Sequence, residues 1–322
     1  MLQQTQVNAV IPYYNHWMKS FPNLQKLSRS PLARVLKCWE GLGYYSRARN
    51  IHKTAKIVLR KFGGKFPDSR GELQSLPGIG RYTAGAIASI AFNRPEPIVD
   101  GNVKRVLARV FALKEGIDSS SGEKKLWEIS KKLVETAEKA AGDFNQSLME
   151  LGALVCMPEN PKCFSCPLKK ICNAHQLNRE AAFPIKIRKT KTERLRTVAA
   201  VIWKDGRILL EKQPLHARWG GLWLFPQWTH KNGKSEKALL VEKLRKNLDI
   251  YCKDLRHRMD IEHGFTKYRV RLSVFEGRDG FQTRSRTRRA QSTLRWIKPE
   301  KISALPFPSP HQKIAQEILN RA

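Results

Sequence analysis

Apolar residues recur at helical spacing through the first half of the chain. Leu32, Val35, Leu36 and Trp39 share one face of a 3.6-residue period, as do Leu126, Ile129, Leu133 and Ala137. Residues 1–155 therefore predict a mainly helical domain, with Pro and Gly in the turns. Further on, the period changes. Val198-Ala199-Ala200-Val201-Ile202-Trp203 and Arg207-Ile208-Leu209-Leu210-Glu211 flank Lys204-Asp205-Gly206, which predicts a strand, a tight turn and a strand. A helical stripe follows (Ala238, Leu239, Val241, Leu244, Leu248), then an alternating strand from Tyr268 to Val274. The second part is thus predicted to be α+β. Residues 175–196 have no apolar period. They carry Arg188, Lys189, Lys191, Arg194 and Arg196 around Phe183-Pro184 and predict an interdomain linker. Arg284 to Arg289 predict a basic loop, and no internal repeat is visible.

Length and apolar content suit one large or two ordinary domains with real cores: 322 residues, 41% hydrophobic. Charge changes the picture more. Lys plus Arg number 60 against 28 acids, a net +32. Residues 1–180 hold 28 bases and 15 acids (+13), and residues 181–322 hold 32 and 13 (+19). An excess in both halves points to a polyanion that touches both, and nucleic acid fits because each phosphate contact releases a counterion. A solvated basic surface is the plain alternative. Met1 to Gln6 lack the basic and apolar regions of a secretory signal, and no stretch is apolar for long enough to cross a bilayer. The expectation is a soluble monomer with no membrane partner, cytoplasmic and nucleoid-associated in a bacterium.

Four cysteines, Cys156, Cys163, Cys166 and Cys172, form a C-x6-C-x2-C-x5-C run within 17 residues. In a reducing compartment such a cluster reads as metal ligands before disulfides. The spacing alone suits an iron–sulfur cluster or a zinc ion held by four thiolates. Cys38 and Cys252 lie apart and read as ordinary buried thiols. Leu76-Pro77-Gly78-Ile79-Gly80 sits between two helical stretches, the second starting at about Arg81. Gly78 and Gly80 permit a tight turn, and amides at the following helix end suit a phosphate. Asp100 precedes the helical run Val103 to Phe111 and reads as an N-cap.

Taken together, MLQQTQV (1–7), GLGYYSRARN (41–50), LPGIGRYTAGAI (76–87), DGNVKRVLARVF (100–111) and FNQSLMELGALVC (144–156) resemble the A/G-mismatch-specific adenine DNA glycosylases of the MutY type. These belong to the helix-hairpin-helix DNA glycosylase superfamily, and the likeness covers nearly the whole chain. It implies a mainly α helix-hairpin-helix glycosylase domain at 1–174 with a [4Fe-4S] loop at 156–172. The linker at 175–196 and an α+β NUDIX-like 8-oxoguanine recognition domain at 197–322 would follow. The implied partner is double-stranded DNA with A:8-oxoguanine or A:G mismatches.

The resemblance also implies roles. Asp100 stabilises the cationic sugar formed as the glycosidic bond breaks, a role compatible with capping because N–H bonds favour the ionised acid. Asn102 lies beside the same sugar. Tyr82 stands where the related glycosylase/lyases carry a lysine that forms a Schiff base; a phenol cannot do so, which implies a monofunctional enzyme using water. Lys104 reads as a phosphate contact. Tyr44 matches the aromatic that wedges into the duplex beside the lesion, whereas Tyr45 reads as core. Gln3 and Gln4 match residues entering the DNA near the extruded adenine, and Gln146 one that bonds the adenine edge. Without the family, each of these polar residues reads as an ordinary surface or first-turn side chain.

The family's general acid is a glutamate two residues before the methionine of the first segment, where it protonates the departing adenine. The sequence begins at Met1, so that glutamate is expected upstream, in a longer protein. Very weak adenine release is expected of the 322 residues as they stand; a non-catalytic form that binds mismatched DNA is the alternative. Downstream, Arg218 to Pro226 (RWGGLWLFP) match the family's NUDIX-like domain. Residues 235–248 offer scattered Glu236 and Glu242, not the glutamate-rich helix a pyrophosphate hydrolase needs. The family's lesion-reading F-S-H loop is Phe265-Thr266-Lys267 here. Thr266 keeps a hydroxyl, while Lys267 replaces a histidine, a departure that bears on discrimination between 8-oxoguanine and guanine. His263 reads as structural.

Overall fold

The computed structural model describes residues 1–3, 5–187, 192–230, 235–279 and 293–321. Gln4, the middle of the expected linker (188–191) and the basic stretch Arg284–Arg289 lie outside the described residues. By compactness the chain forms two units, Ile57–Thr190 and a second made of Met1–Lys56 with Lys191–Ala322.

The first four helices are α1 (Val7–Ser20), α2 (Leu24–Arg29), α3 (Leu32–Cys38) and α4 (Ser46–Lys61). The predicted period through Leu32–Trp39 is α3, with Trp39 as its C-cap. These helices bury Trp17, Leu36, Trp39 and Tyr45 in one cluster that also takes in Leu222.

The unit 57–190 is helical: α5 (Arg70–Gln74), α6 (Arg81–Phe92), α7 (Gly101–Val110), α8 (Ser120–Thr136), α9 (Ala141–Leu154) and α10 (Asn173–Gln176). Its core gathers Ile98, Val103, Leu107, Leu126, Trp127 and Leu148. Helix α8 starts cleanly because Ser119 caps the Gly122 amide at 3.0 Å.

The remaining elements are β1 (Glu193–Lys204), β2 (Arg207–Lys212), β3 (Trp223–Leu224), β4 (Gln227–His230), α11 (Glu236–Leu248), β5 (Cys252–Phe265), β6 (Tyr268–Asp279), β7 (Thr293–Ile297) and α12 (Ser309–Leu319). The sheet runs β3-β2-β1-β6-β5, with β4 also on β1 and β7 on β2. β1 and β6 are parallel; the other pairs are antiparallel. Both faces are covered, which explains the continuous apolar run in β1. Ala199 and Val201 face the core containing Ile314 and Ile318 of α12. Val198, Ala200 and Ile202 face the one containing Leu240 and Leu244 of α11.

The predicted tight turn is the pair Asp205-Gly206, with φ of 47° and 68°, between Lys204 and Arg207, which pair across the strands. The linker is shorter than its charge pattern suggests. β1 begins at Glu193, so Arg194 and Arg196 are strand residues, because β6 pairs with β1 from Tyr268 onward. Val241, part of the predicted stripe of α11, is 40% exposed and faces outward.

Candidate functional site

The hairpin between α5 and α6 forms as the Leu76–Gly80 pattern requires. Ser69 caps α5, Gly78 takes φ 78° in the turn, and Gly80 precedes α6 with no side-chain cap. Chain reversal here puts Tyr82 in the first turn of α6.

Asp100 is the N-cap of α7. Its Oδ1 accepts the Val103 amide at 2.7 Å, and its carbonyl accepts the Lys104 amide at 2.9 Å. Tyr82 is within electrostatic reach of Asp100: burial, and then the Asp100 charge, push the phenol above its usual pKa. The Tyr82 hydroxyl donates to Met149 Sδ at 3.3 Å, which ties it to α9. Tyr82 packs against the core that includes Val103 of α7, the residue whose amide Asp100 caps. Gln146 lies on α9 too, exposed, with Nε2 3.3 Å from the Gly142 carbonyl. Lys104 pairs with Glu123 at 3.3 Å.

Asn102 is drawn into a network that the sequence does not announce. Arg105 donates to Asn102 Oδ1 at 2.9 Å, to the Gly152 carbonyl at 2.6 Å and to the Cys156 carbonyl at 2.8 Å. Helix α7 approaches α9 closely at this point. A Cβ on Gly152 would sit 2.7 Å from Asn102 Cβ, so only glycine fits. The start of α7 is therefore linked to the first cysteine.

All four cysteines line one small hollow of about 30 Å³, together with Arg109, His175 and Glu180. Cys163, His175 and Glu180 hold potential ligand atoms within 4.8 Å of one another. His175 Nδ1 bonds Glu180 Oε1 at 2.5 Å. Burial, then Glu180, push the Cys163 thiol up to about 11; a bound cation reverses that tendency and favours the thiolate. Arg109, 2% exposed, sets Nη1 3.4 Å from Cys156 Sγ. This is a loop able to bind metal.

In the other unit, Tyr44 is 49% exposed and has φ 45°. Arg47 lies over its ring and donates to the Gln3 carbonyl at 2.8 Å and the Leu42 carbonyl at 3.2 Å, so one guanidinium organises both segments. Tyr45 is core, 4% exposed. Phe265, Thr266 and Lys267 form the tip of the β5–β6 hairpin, with Phe265 paired to Tyr268 and Thr266 exposed at φ 46°. Arg218 lies over the Phe265 ring, and Lys267 pairs with Glu193. His263 is half-buried behind the tip, its pKa lowered by burial and then by Arg218. Cys38 and Cys252 are only partly buried, more open than the buried thiols that the sequence suggests. Among the described residues no helix is long and apolar enough to cross a membrane.

These features define a class. Residues 1–132 match the HhH-GPD superfamily of base excision DNA repair proteins, and residues 197–317 match the NUDIX domain. The chain is 45% identical over 235 residues to the adenine DNA glycosylase of Buchnera aphidicola subsp. Baizongia pistaciae (strain Bp), covering 72% of this chain and 65% of that protein. It is 35% identical over 323 residues to the adenine DNA glycosylase of Buchnera aphidicola subsp. Schizaphis graminum (strain Sg), covering 98% and 88%. The Homo sapiens adenine DNA glycosylase is 36% identical over 323 residues, covering 85% of this chain and 59% of that protein. The chain thus spans less than two thirds of the first of these relatives and of the third, 65% and 59%. It belongs to the adenine DNA glycosylase family.

Proposed function

We propose that the protein is a monofunctional DNA N-glycosylase that hydrolyses the glycosidic bond of adenine opposite 8-oxoguanine or guanine in double-stranded DNA. The observation that carries this reading is Asp100 fixed as the N-cap of α7, with Tyr82 packed against the core that holds Val103 of the same helix. A carboxylate fixed at a helix start can stabilise the cationic sugar that develops as the base leaves. Where a lyase would carry its amine, Tyr82 offers a phenol kept neutral by burial and by the Asp100 charge, and a phenol cannot form an imine. Water is then the nucleophile. Asn102, held by Arg105, supports the sugar side of this site.

The remaining residues bind and expose the base. The turn at Gly78 and Gly80 offers amides to phosphate, and Lys104 adds a cation once it exchanges Glu123 for the backbone. Tyr44 fills the stack that a flipped adenine vacates. Gln3, Gln4 and Gln146 serve the adenine side, and Phe265, Thr266 and Lys267 read the opposite base. We assign 1–174 to the glycosylase domain, 175–192 to the linker and 193–322, from the start of β1, to the recognition domain. A monomer acting in the compartment that holds the DNA, the cytoplasm and nucleoid of a bacterium, fits this work.

Cys156, Cys163, Cys166 and Cys172 would hold a [4Fe-4S] cluster. The donor set fits: four sulfurs line one hollow, with a buried guanidinium beside Cys156. When bound, the cluster cross-links the loop and supplies a redox-capable anion. Iron and sulfide content distinguish it from zinc.

Borohydride trapping tests the reading. Incubated with a duplex carrying adenine opposite 8-oxoguanine, the protein expressed from its genomic reading frame should free adenine and leave an abasic site without a covalent adduct. A trapped adduct would reassign it to the lyase-type glycosylases.

A further inference from the structure

The turn that carries Tyr44 is fastened at both ends to a single residue far along the chain. Glu40 precedes Gly41-Leu42-Gly43-Tyr44, and Tyr45 follows it. Glu40 Oε1 accepts the Phe307 amide at 2.7 Å. The Tyr45 hydroxyl donates to the Phe307 carbonyl at 2.8 Å. Both backbone groups of Phe307 are thus taken by the two residues that bracket the turn. Lys37 completes the clamp, donating to the Leu305 carbonyl at 3.1 Å and pairing with Glu40 Oε2 at 2.5 Å. The Glu40 side chain is 7% exposed and Tyr45 is 4% exposed. Buried bonds of this kind are costly to leave unmade.

The turn needs such a clamp. Gly41, Gly43 and Tyr44 have φ of 98°, 67° and 45°. A non-glycine residue in that region persists only where its surroundings hold it. Phe307, on the other side, is stacked on Phe225 at 5.9 Å between ring centroids. It shares a core with Ile261 of β5 and Leu272 and Val274 of β6, the two strands whose tip is Phe265–Lys267. Packed cores transmit displacement because they hold few voids.

We propose that Glu40 and Tyr45 are positioning residues that couple the Tyr44 wedge to the lesion-reading hairpin through Phe307. Recognition of the oxidised base at Phe265–Lys267 then holds the wedge turn in its inserted position, and insertion holds the hairpin on the base. Coupling of this kind is reciprocal. The inference rests on the reading of Tyr44 as wedge and of the hairpin as lesion reader.

The test uses the full chain and duplexes with 2-aminopurine, a fluorescent adenine analogue, placed opposite 8-oxoguanine or guanine. Fluorescence reports unstacking, and titration gives the ratio of dissociation constants for the two opposite bases. Tyr45→Phe should bind an undamaged duplex as the parent does and keep its unfolding midpoint within a few degrees. Its 8-oxoguanine preference should fall at least about threefold, and its fluorescence difference between the two duplexes should shrink. A merely structural role would weaken binding to all duplexes alike. Glu40→Ala carries the same expectation and replaces Tyr45→Phe should that variant not fold. A folded Tyr45→Phe or Glu40→Ala protein with the parent's preference overturns the coupling. Tyr44→Ala is the control. Unstacking unchanged in that variant overturns the wedge reading, and the coupling with it.

Discussion

Arg109 and Cys156 meet at 3.4 Å, guanidinium to sulfur. Arg109 also donates to the carbonyls of Met157, Pro158, Glu180 and Phe183, all neutral acceptors. Among the described residues no carboxylate pairs with Arg109, and a buried cation in that position needs another anion. Metal-bound thiolates supply one. The Arg109→Met protein should therefore lose stability, by about 3 kcal/mol or more given the carbonyls left unmet. It should also retain less iron and sulfide per chain. Denaturant unfolding and metal analysis check this; normal iron content in the folded variant would remove Arg109 from the metal site.

Asp100 combines capping and chemistry, and the two separate by substitution. Asparagine caps about as well as aspartate, so Asp100→Asn should keep the unfolding midpoint and the affinity for mismatched DNA. Single-turnover adenine release should fall by about 10²- to 10³-fold or more, since charge stabilisation is lost. Equal loss of stability and rate would mean that the cap is its whole role.

Thr266 stands exposed at the hairpin tip, with Phe265 and Arg218 packed beside it. Thr266→Val removes one hydroxyl at nearly constant volume. The preference for 8-oxoguanine over guanine should fall by about 3- to 10-fold, the worth of one hydrogen bond. Competition binding with paired duplexes measures it.

His311 gives an acid-sensitive element. It is fully buried, with Nδ1 accepting the Phe225 amide at 3.1 Å. Burial, with a smaller contribution from His263, pushes its pKa down to about 3. An unfolded histidine titrates near about 6.5. Between these values the unfolded chain binds the extra proton, so stability is full above about pH 6.5 and declines toward pH 3, at up to about 1.4 kcal/mol per pH unit. Urea midpoints across that range should fall steeply in the parent and less steeply in His311→Asn. Parallel slopes would count against His311 as the cause.

Much of this was legible because it is local. The apolar run in β1, the Asp205-Gly206 turn, the cap at Asp100 and the turn at Gly78 each follow from neighbouring residues. The cysteine loop is a spacing pattern and equally readable. Long-range backbone bonds leave no such trace. Glu40 and Tyr45 find Phe307 across more than 260 positions, and nothing near Phe307 signals it. Nothing in the sequence marks Arg105 and Arg109 as inward-facing, yet both turn to carbonyls around Cys156. The extra length of β1 was hidden because pairing with β6 overrides its charged composition. Val241 erred the other way: apolar at core spacing, but left exposed.

The most direct measurement is single-turnover base release by the protein expressed from its genomic reading frame, from matched duplexes with adenine opposite 8-oxoguanine, guanine or thymine. Free adenine from the first two and none from the third, slowed at least about a hundredfold in Asp100→Asn, is the predicted result. Lesion-specific binding with no adenine released from any duplex would contradict an adenine glycosylase and leave a protein that only recognises the mismatch.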